Sequence, residues 1–224
     1  MTELWTILLP VALVTAVMPG QVAMTILMLR APGGIPRAGA WVGGMTLVRL
    51  AQFALMFLVL EPATDDGQSG TSLVEAALLL GVAVLLLVSA ARKLANQPDE
   101  DAPPPRWMTM VTDWTPSRAF LAGAGLVGLS PKLWAFTLAG IGAIADAELP
   151  LAAGWIVFIV FVALSQAGHL AALTLAAVAP QRADAVLGSI AGALERHSRS
   201  LMILLSAAFG IWFLLKALSA FGIL

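Results

Sequence analysis

Met18-Pro19-Gly20-Gln21 and Ser130-Pro131-Lys132 each fall near the middle of a long apolar run, residues 4–29 and 119–145. Proline has no N–H to donate, its ring clashes with the preceding turn, and the residue before it is pushed out of the α region. A helix interrupted there restarts, and its new N-terminus presents free N–H groups and a partial positive charge. Lipid cannot satisfy such groups, so a break at membrane depth must face protein or a wet cavity. Two breaks at equivalent depth, each followed by a polar residue, predict a substrate site made from interrupted helices.

Composition says that these runs do lie in a membrane. The 224-residue chain is 60% hydrophobic and 11% charged, with a mean hydropathy of +0.93. Soluble domains carry about 45–50% apolar and about 25% charged residues, so an ordinary water-soluble enzyme is excluded and a polytopic membrane protein is left. The chain has no cysteine, which removes disulfides, thiol redox chemistry, Cys-ligated zinc and iron–sulfur clusters. Two histidines, His169 and His197, cannot form a three-histidine metal site. A net charge of −1 offers no basic surplus for nucleic acid.

A membrane helix needs roughly 20 mainly apolar residues. Six stretches qualify: 4–29, 38–60, 73–91, 119–145, 151–178 and 201–223. The first lacks the basic start and small-residue cleavage site of a signal peptide. Arg30, Arg37, Arg92, Lys93, Arg106, Arg118, Arg182, Arg196 and Arg199 all fall in alternate connections, and the opposite side carries no basic residue. The positive-inside rule then places both termini outside a cell (inner) membrane. The expected fold is all-α, six transmembrane helices in a 3+3 inverted repeat with helices 1 and 4 broken. Residues 1–93 form the first repeat, 94–118 a cytoplasmic linker, and 119–224 the second repeat. Asp99-Glu100-Asp101 and Pro103-Pro104-Pro105 make the first part of the linker extended. Trp107, Met108, Met110, Val111 and Trp114 suit its second part to the interface. In residues 181–198, Val186, Leu187, Ile190 and Leu194 share a helical face; the segment is either a surface-lying amphipathic helix or a plain tether.

Three cations lie inside predicted spans: Arg49, Lys132 and Lys216. No carboxylate lies at the depth of Arg49 and Lys132, since Glu75 stands in the first turn of its span. A charge at the bilayer centre costs a few kcal/mol and marks a functional candidate. Arg49 and Lys132 either attract an anionic substrate or pin the broken helices through freed carbonyls, and Lys216 snorkels outward. Gln21, Gln52, Ser165, Gln166 and His169 supply neutral polar groups, with Arg49 and Gln52, and Gln166 and His169, each sharing a helix face. If span 5 faces span 2, these side chains line one cavity with Gln21 and Lys132. His169 is either a structural hydrogen-bonding residue or a proton carrier. Gly39-Ala40-Trp41-Val42-Gly43 is a GxxxG packing motif.

Three motifs carry a family resemblance: Pro105-Arg106-Trp107-Met108, then Asp113-Trp114-Thr115-Pro116-Ser117-Arg118-Ala119, then Gly128-Leu129-Ser130-Pro131-Lys132-Leu133. With six spans and two proline breaks, they make the chain resemble the glycolipid-addressing (GAP or Sap) proteins of the lysine-exporter superfamily. Ser130 stands where that family usually has Asn. The resemblance implies export, in this branch the delivery of glycolipid to the cell envelope.

The expected function is a secondary exporter, or an accessory subunit of one, for an envelope lipid or other anionic amphiphile, working by alternating access. In that role Pro19, Gly20 and Pro131 create the half-helix ends and Arg49 and Lys132 attract the headgroup. Gln21, Gln52, Ser130 and Gln166 bond the substrate, and His169 couples to protons. An exporter of amino acids or other small polar solutes and a non-transporting scaffold for envelope biosynthesis are the alternatives. Membrane lipids, the transported molecule, a second copy or an envelope-biosynthesis protein are the expected partners. No cofactor is implied, no catalytic constellation is present, and no Walker A motif points to ATP.

Overall fold

The computed structural model describes residues 2–60, 68–95 and 111–223. Most of the linker, residues 96–110, lies outside them, and with it Asp99, Pro103 and the interfacial Trp107, Met108 and Met110. The described chain is helical: α1 (Thr2–Ala16), α2 (Pro19–Arg30), α3 (Gly34–Leu60), α4 (Gln68–Ala95), a 3-10 turn at Val111–Asp113, α5 (Pro116–Leu129), α6 (Pro131–Ala145), α7 (Leu151–Ser165), α8 (Ala167–Val178) and α9 (Pro180–Ala220). Among the described residues, Arg199–Ser219 is by itself long and apolar enough to cross a membrane, and three bent pairs qualify when both halves are counted together.

Both expected breaks are present. Met18 leaves the helix at φ −56°, ψ 110°, Pro19 restarts it, and the axis bends by 48°. Ser130 does the same at φ −88°, ψ 110° before Pro131, with a bend of 72°. These are the extended conformations that a following proline imposes. A third break was not expected. Span 5 divides at Gln166 (φ −109°, ψ 9°) into α7 and α8, bent by 65°, with no proline involved. The polar pair Ser165-Gln166 followed by Gly168 is the available signal, in a run longer than one crossing needs.

Thr115 explains part of the second motif. Its hydroxyl accepts from the Arg118 N–H at 3.3 Å, and Pro116 occupies the first turn of α5, the arrangement of an N-cap followed by proline. Helices α3 and α5 then run side by side at close range. A Cβ at Gly44 would collide with the Phe120 carbonyl and one at Gly123 with the Trp41 carbonyl, whereas Gly39 meets nothing within 4 Å. The GxxxG motif is therefore displaced in use by one residue, to Gly44.

Residues 181–198 are neither a separate surface helix nor a tether. They form the first half of α9, which continues through span 6 without interruption. Ala183, Leu187 and Ala191 bury one face against Val22 and Ile26 of α2 and Ala172 of α8, while Val186 and Ile190 stay exposed. The second half of α9 lies antiparallel to α4, with Gly210 against Leu87 and the Arg199 guanidinium donating to the Lys93 carbonyl at 2.9 Å.

The ends of the helices sort into two groups. Leu4 and Ile7 gather with Asp146, Leu149, Trp212 and Lys216 around a cavity of about 780 Å³. There burial pushes the Asp146 carboxyl up, an effect Lys216 partly offsets. At the other end, Arg30 to Pro36 meet Pro180 and Asp184.

Candidate functional site

The breaks at Met18 and Gln166 meet. A Cβ built on Gly168 would stand 2.5 Å from the Ala16 carbonyl oxygen, so only glycine lets these two interrupted backbones come this close. Around that contact α2, α3 and the α7–α8 junction bring polar side chains into the interior. Gln21, Thr25, Arg49, Gln52, Ser165, Gln166 and His169 are all buried, none more than 7% exposed.

Their bonds tie the three elements together. Thr25 Oγ1 lies 2.8 Å from His169 Nδ1 and 3.2 Å from the Gln21 carbonyl oxygen. A hydroxyl has one proton to give. If Thr25 gives it to the carbonyl, His169 carries its own proton on Nδ1 and leaves Nε2 as an acceptor. Gln166 Nε2 donates to Thr46 Oγ1 at 2.6 Å, and Thr46 donates to the Val42 carbonyl at 2.8 Å. The Gln21 amide N–H donates to Met18 Sδ at 3.3 Å, holding the first break from its own side. Arg49 is close enough to His169 to act on it through space.

What these bonds leave over is more informative. Among the described residues nine buried side-chain atoms have no hydrogen-bond partner in the protein, and six belong here: Gln21 Oε1, Arg49 Nε, Gln52 Nε2, Gln52 Oε1, Ser165 Oγ and Gln166 Oε1. Each such atom costs about 1–3 kcal/mol when unpaired, more when charged, and the great majority of buried polar groups are paired. No carboxylate among the described residues pairs with Arg49. The result is a buried, net-positive group of side chains with spare donors and acceptors, chemistry that suits an anion with several oxygens. No group of three or more metal-ligating side chains occurs among the described residues.

The sequence-derived set therefore divides. Gln21, Arg49, Gln52, Gln166 and His169 come together, with Pro19 buried beside them and Gly20 exposed. The residues of the second break do not share this setting. Lys132 Nζ donates to the buried Ser206 Oγ of α9 at 3.3 Å, and Lys93 of α4 lies near enough to repel it. Ser130 is half-buried and its side chain caps no helix; Pro131 is exposed and Leu129 is 85% exposed. The Gly128 carbonyl freed there accepts from the Trp134 indole N–H at 2.7 Å, so the break closes on itself. Thr25, Thr46 and Ser206 were not anticipated. Thr25 follows Gln21 by four residues and Thr46 precedes Arg49 by three, spacings that share a helix face and could have flagged both.

A family model described as Sap, sulfolipid-1-addressing protein, matches residues 8–219. No curated protein and no solved structure matches the chain.

Proposed function

The chain belongs to the Sap (sulfolipid-1-addressing protein) family, and from that membership we propose that it moves an anionic amphiphile outward across the cell membrane. The observation that carries this reading is Arg49, a buried guanidinium with no carboxylate partner among the described residues, in a protein interior that also holds unpartnered amide and hydroxyl atoms. A sulfate or phosphate headgroup offers the charge and the several acceptor oxygens that Arg49, Gln52 and Ser165 lack. The guanidinium fork suits such an anion better than a point charge would.

The proposed frame is six spans, two oppositely oriented three-span units and both termini outside. It is supported by the nine-to-none distribution of basic residues between alternate connections and by the sorting of helix ends into two groups. Alternating access has one three-span unit rocking against the other, with the Met18 and Gln166 breaks at their contact. Lys132, near Lys93 and bonded to Ser206, is the first contact for the headgroup on the basic side. Arg49 is its station at mid-membrane. His169, linked to Thr25, is the group that exchanges a proton as the headgroup arrives or leaves. Neither an enzymatic step nor a cofactor is part of this proposal.

Reconstitution in proteoliposomes tests it. A fluorescent sulfate-headed or phosphate-headed lipid is followed as it leaves the inner leaflet, in parallel with a set of labelled amino acids. Lipid movement in the wild type that is absent in Arg49→Gln supports the reading. Amino-acid flux without lipid movement moves the chain to the small-solute exporters instead. Lipid movement untouched by Arg49→Gln removes the assigned site.

A further inference from the structure

Helices α2 and α8 have two faces. One carries Gln21, Thr25 and His169, buried in the polar group around Arg49. The other presents Val22, Ile26, Ala172 and Leu175 to a cavity of about 270 Å³ whose lining is almost wholly apolar. The cavity begins at the same two breaks, at Ala16, Val17 and Gly168, and is closed over by Leu187, Ile190 and Leu194 of α9. Its rim is open to the surface, with Val17 43% and Ile190 41% exposed. This gives the cytoplasmic-side half of α9 a task that its apolar face alone did not explain.

We infer that this cavity is a tail slot, holding one alkyl segment of the molecule whose headgroup is bound at Arg49. The inference rests on the headgroup reading and specifies the substrate as an amphiphile that straddles the α2–α8 seam. Three observations carry it. The slot and the buried polar group share the two broken backbones, and chain neighbours divide between them: Val22 and Gly168 line the slot, whereas Gln21 and His169 belong to the polar group. The slot falls below the roughly 300–1,000 Å³ of sites that take a whole small molecule, so it fits a segment. Its exposed rim lets a chain slide in sideways while the headgroup stays in a polar path.

Acyl chains in the bilayer are as apolar as the slot. Seating a tail there adds register, not hydrophobic gain, and the measurement must therefore report position. Two photoreactive probes are incorporated in vesicles with the full-length protein: an anionic sulfate-headed lipid with a diazirine in its tail, and the same lipid with the diazirine beside the headgroup. Phosphatidylcholine carrying the tail diazirine is the control. Labelled peptides are read by mass spectrometry.

The tail probe should label residues 168–175 and 187–194 well above the phosphatidylcholine control, and the headgroup probe should label the peptide containing Arg49. Filling the slot with Ala172→Phe should cut tail labelling there about tenfold, equivalent to about 1.4 kcal/mol, and leave headgroup labelling in place. Ile190→Trp, at a half-open position, should do the same and guards against misfolding of the first variant. Equal labelling by phosphatidylcholine means ordinary bilayer lipid and overturns the slot. So does a cross-link between two copies of the chain at these residues, or tail labelling that survives both substitutions. Loss of the headgroup pattern alone, with slot labelling retained, overturns the Arg49 reading and not the slot.

Discussion

The breaks at Met18–Pro19 and Ser130–Pro131 look alike in sequence and in backbone conformation, and differ in their surroundings once folded. At the first, Met18 and Pro19 are buried, a second interrupted helix abuts at Gly168, and the same helices carry buried side chains with unpaired polar atoms. The second has Leu129 and Pro131 at the surface, and its free carbonyl is taken by Trp134. Proline decides where a helix stops. What surrounds the stop decides whether it is a joint in the framework or a place for a ligand.

The sharpest way to break this comparison is Arg49→Gln. Removing one side of a buried charge pair costs about 2–5 kcal/mol, so transport of the anionic lipid should fall by roughly thirtyfold or more. Thermal stability should hold or rise, because no carboxylate among the described residues pairs with the buried charge. A drop in stability of several degrees would instead make Arg49 a structural clamp. Next in size is Gly168→Ala, which sets a methyl group against the Ala16 carbonyl and should destabilise the protein by about 1–3 kcal/mol. Gly125→Ala, on the helix before the second break and with open space around it, should change stability by no more than about 0.5 kcal/mol. Thermal unfolding of the two variants in one detergent reads both.

The second break predicts smaller effects. Lys132→Met should slow transport about 3–10-fold, and added salt should shrink the difference from wild type, since a partly exposed charge is screened. Trp134→Phe removes one hydrogen bond and should cost about 0.5–1.5 kcal/mol of stability with transport unchanged. If Trp134→Phe or Lys132→Met abolished transport while Arg49→Gln did not, the roles assigned to the two breaks would be reversed.

How far the sequence could be read follows from the same contrast. Both proline breaks were legible because proline acts on its own neighbours, and the cations were legible because any charge inside an apolar run stands out. The family resemblance carried by Asp113 to Ala119 and Gly128 to Leu133 is borne out by a family match over residues 8–219. The third break had only the faint local signal of Ser165-Gln166 and Gly168. Gly168 packs there against the Ala16 carbonyl, and no local rule encodes a contact between residues that far apart. Whether Lys132 joins Arg49 depends on how the spans face each other, which local pattern does not encode; the bond it makes is to Ser206 of α9. The continuity of α9 was equally out of reach, because an amphipathic half and an apolar half read as two elements when nothing in the pattern says they share an axis.

The buried polar group at the Met18 and Gln166 breaks is, in this proposal, the seat of an anionic headgroup. An experimental structure of the protein in nanodiscs with a sulfate-headed lipid tests that directly. The headgroup should lie within hydrogen-bond reach of Arg49, with Gln52 or Ser165 completing its shell. Headgroup density at Ser130–Pro131, with none beside Arg49, would contradict it.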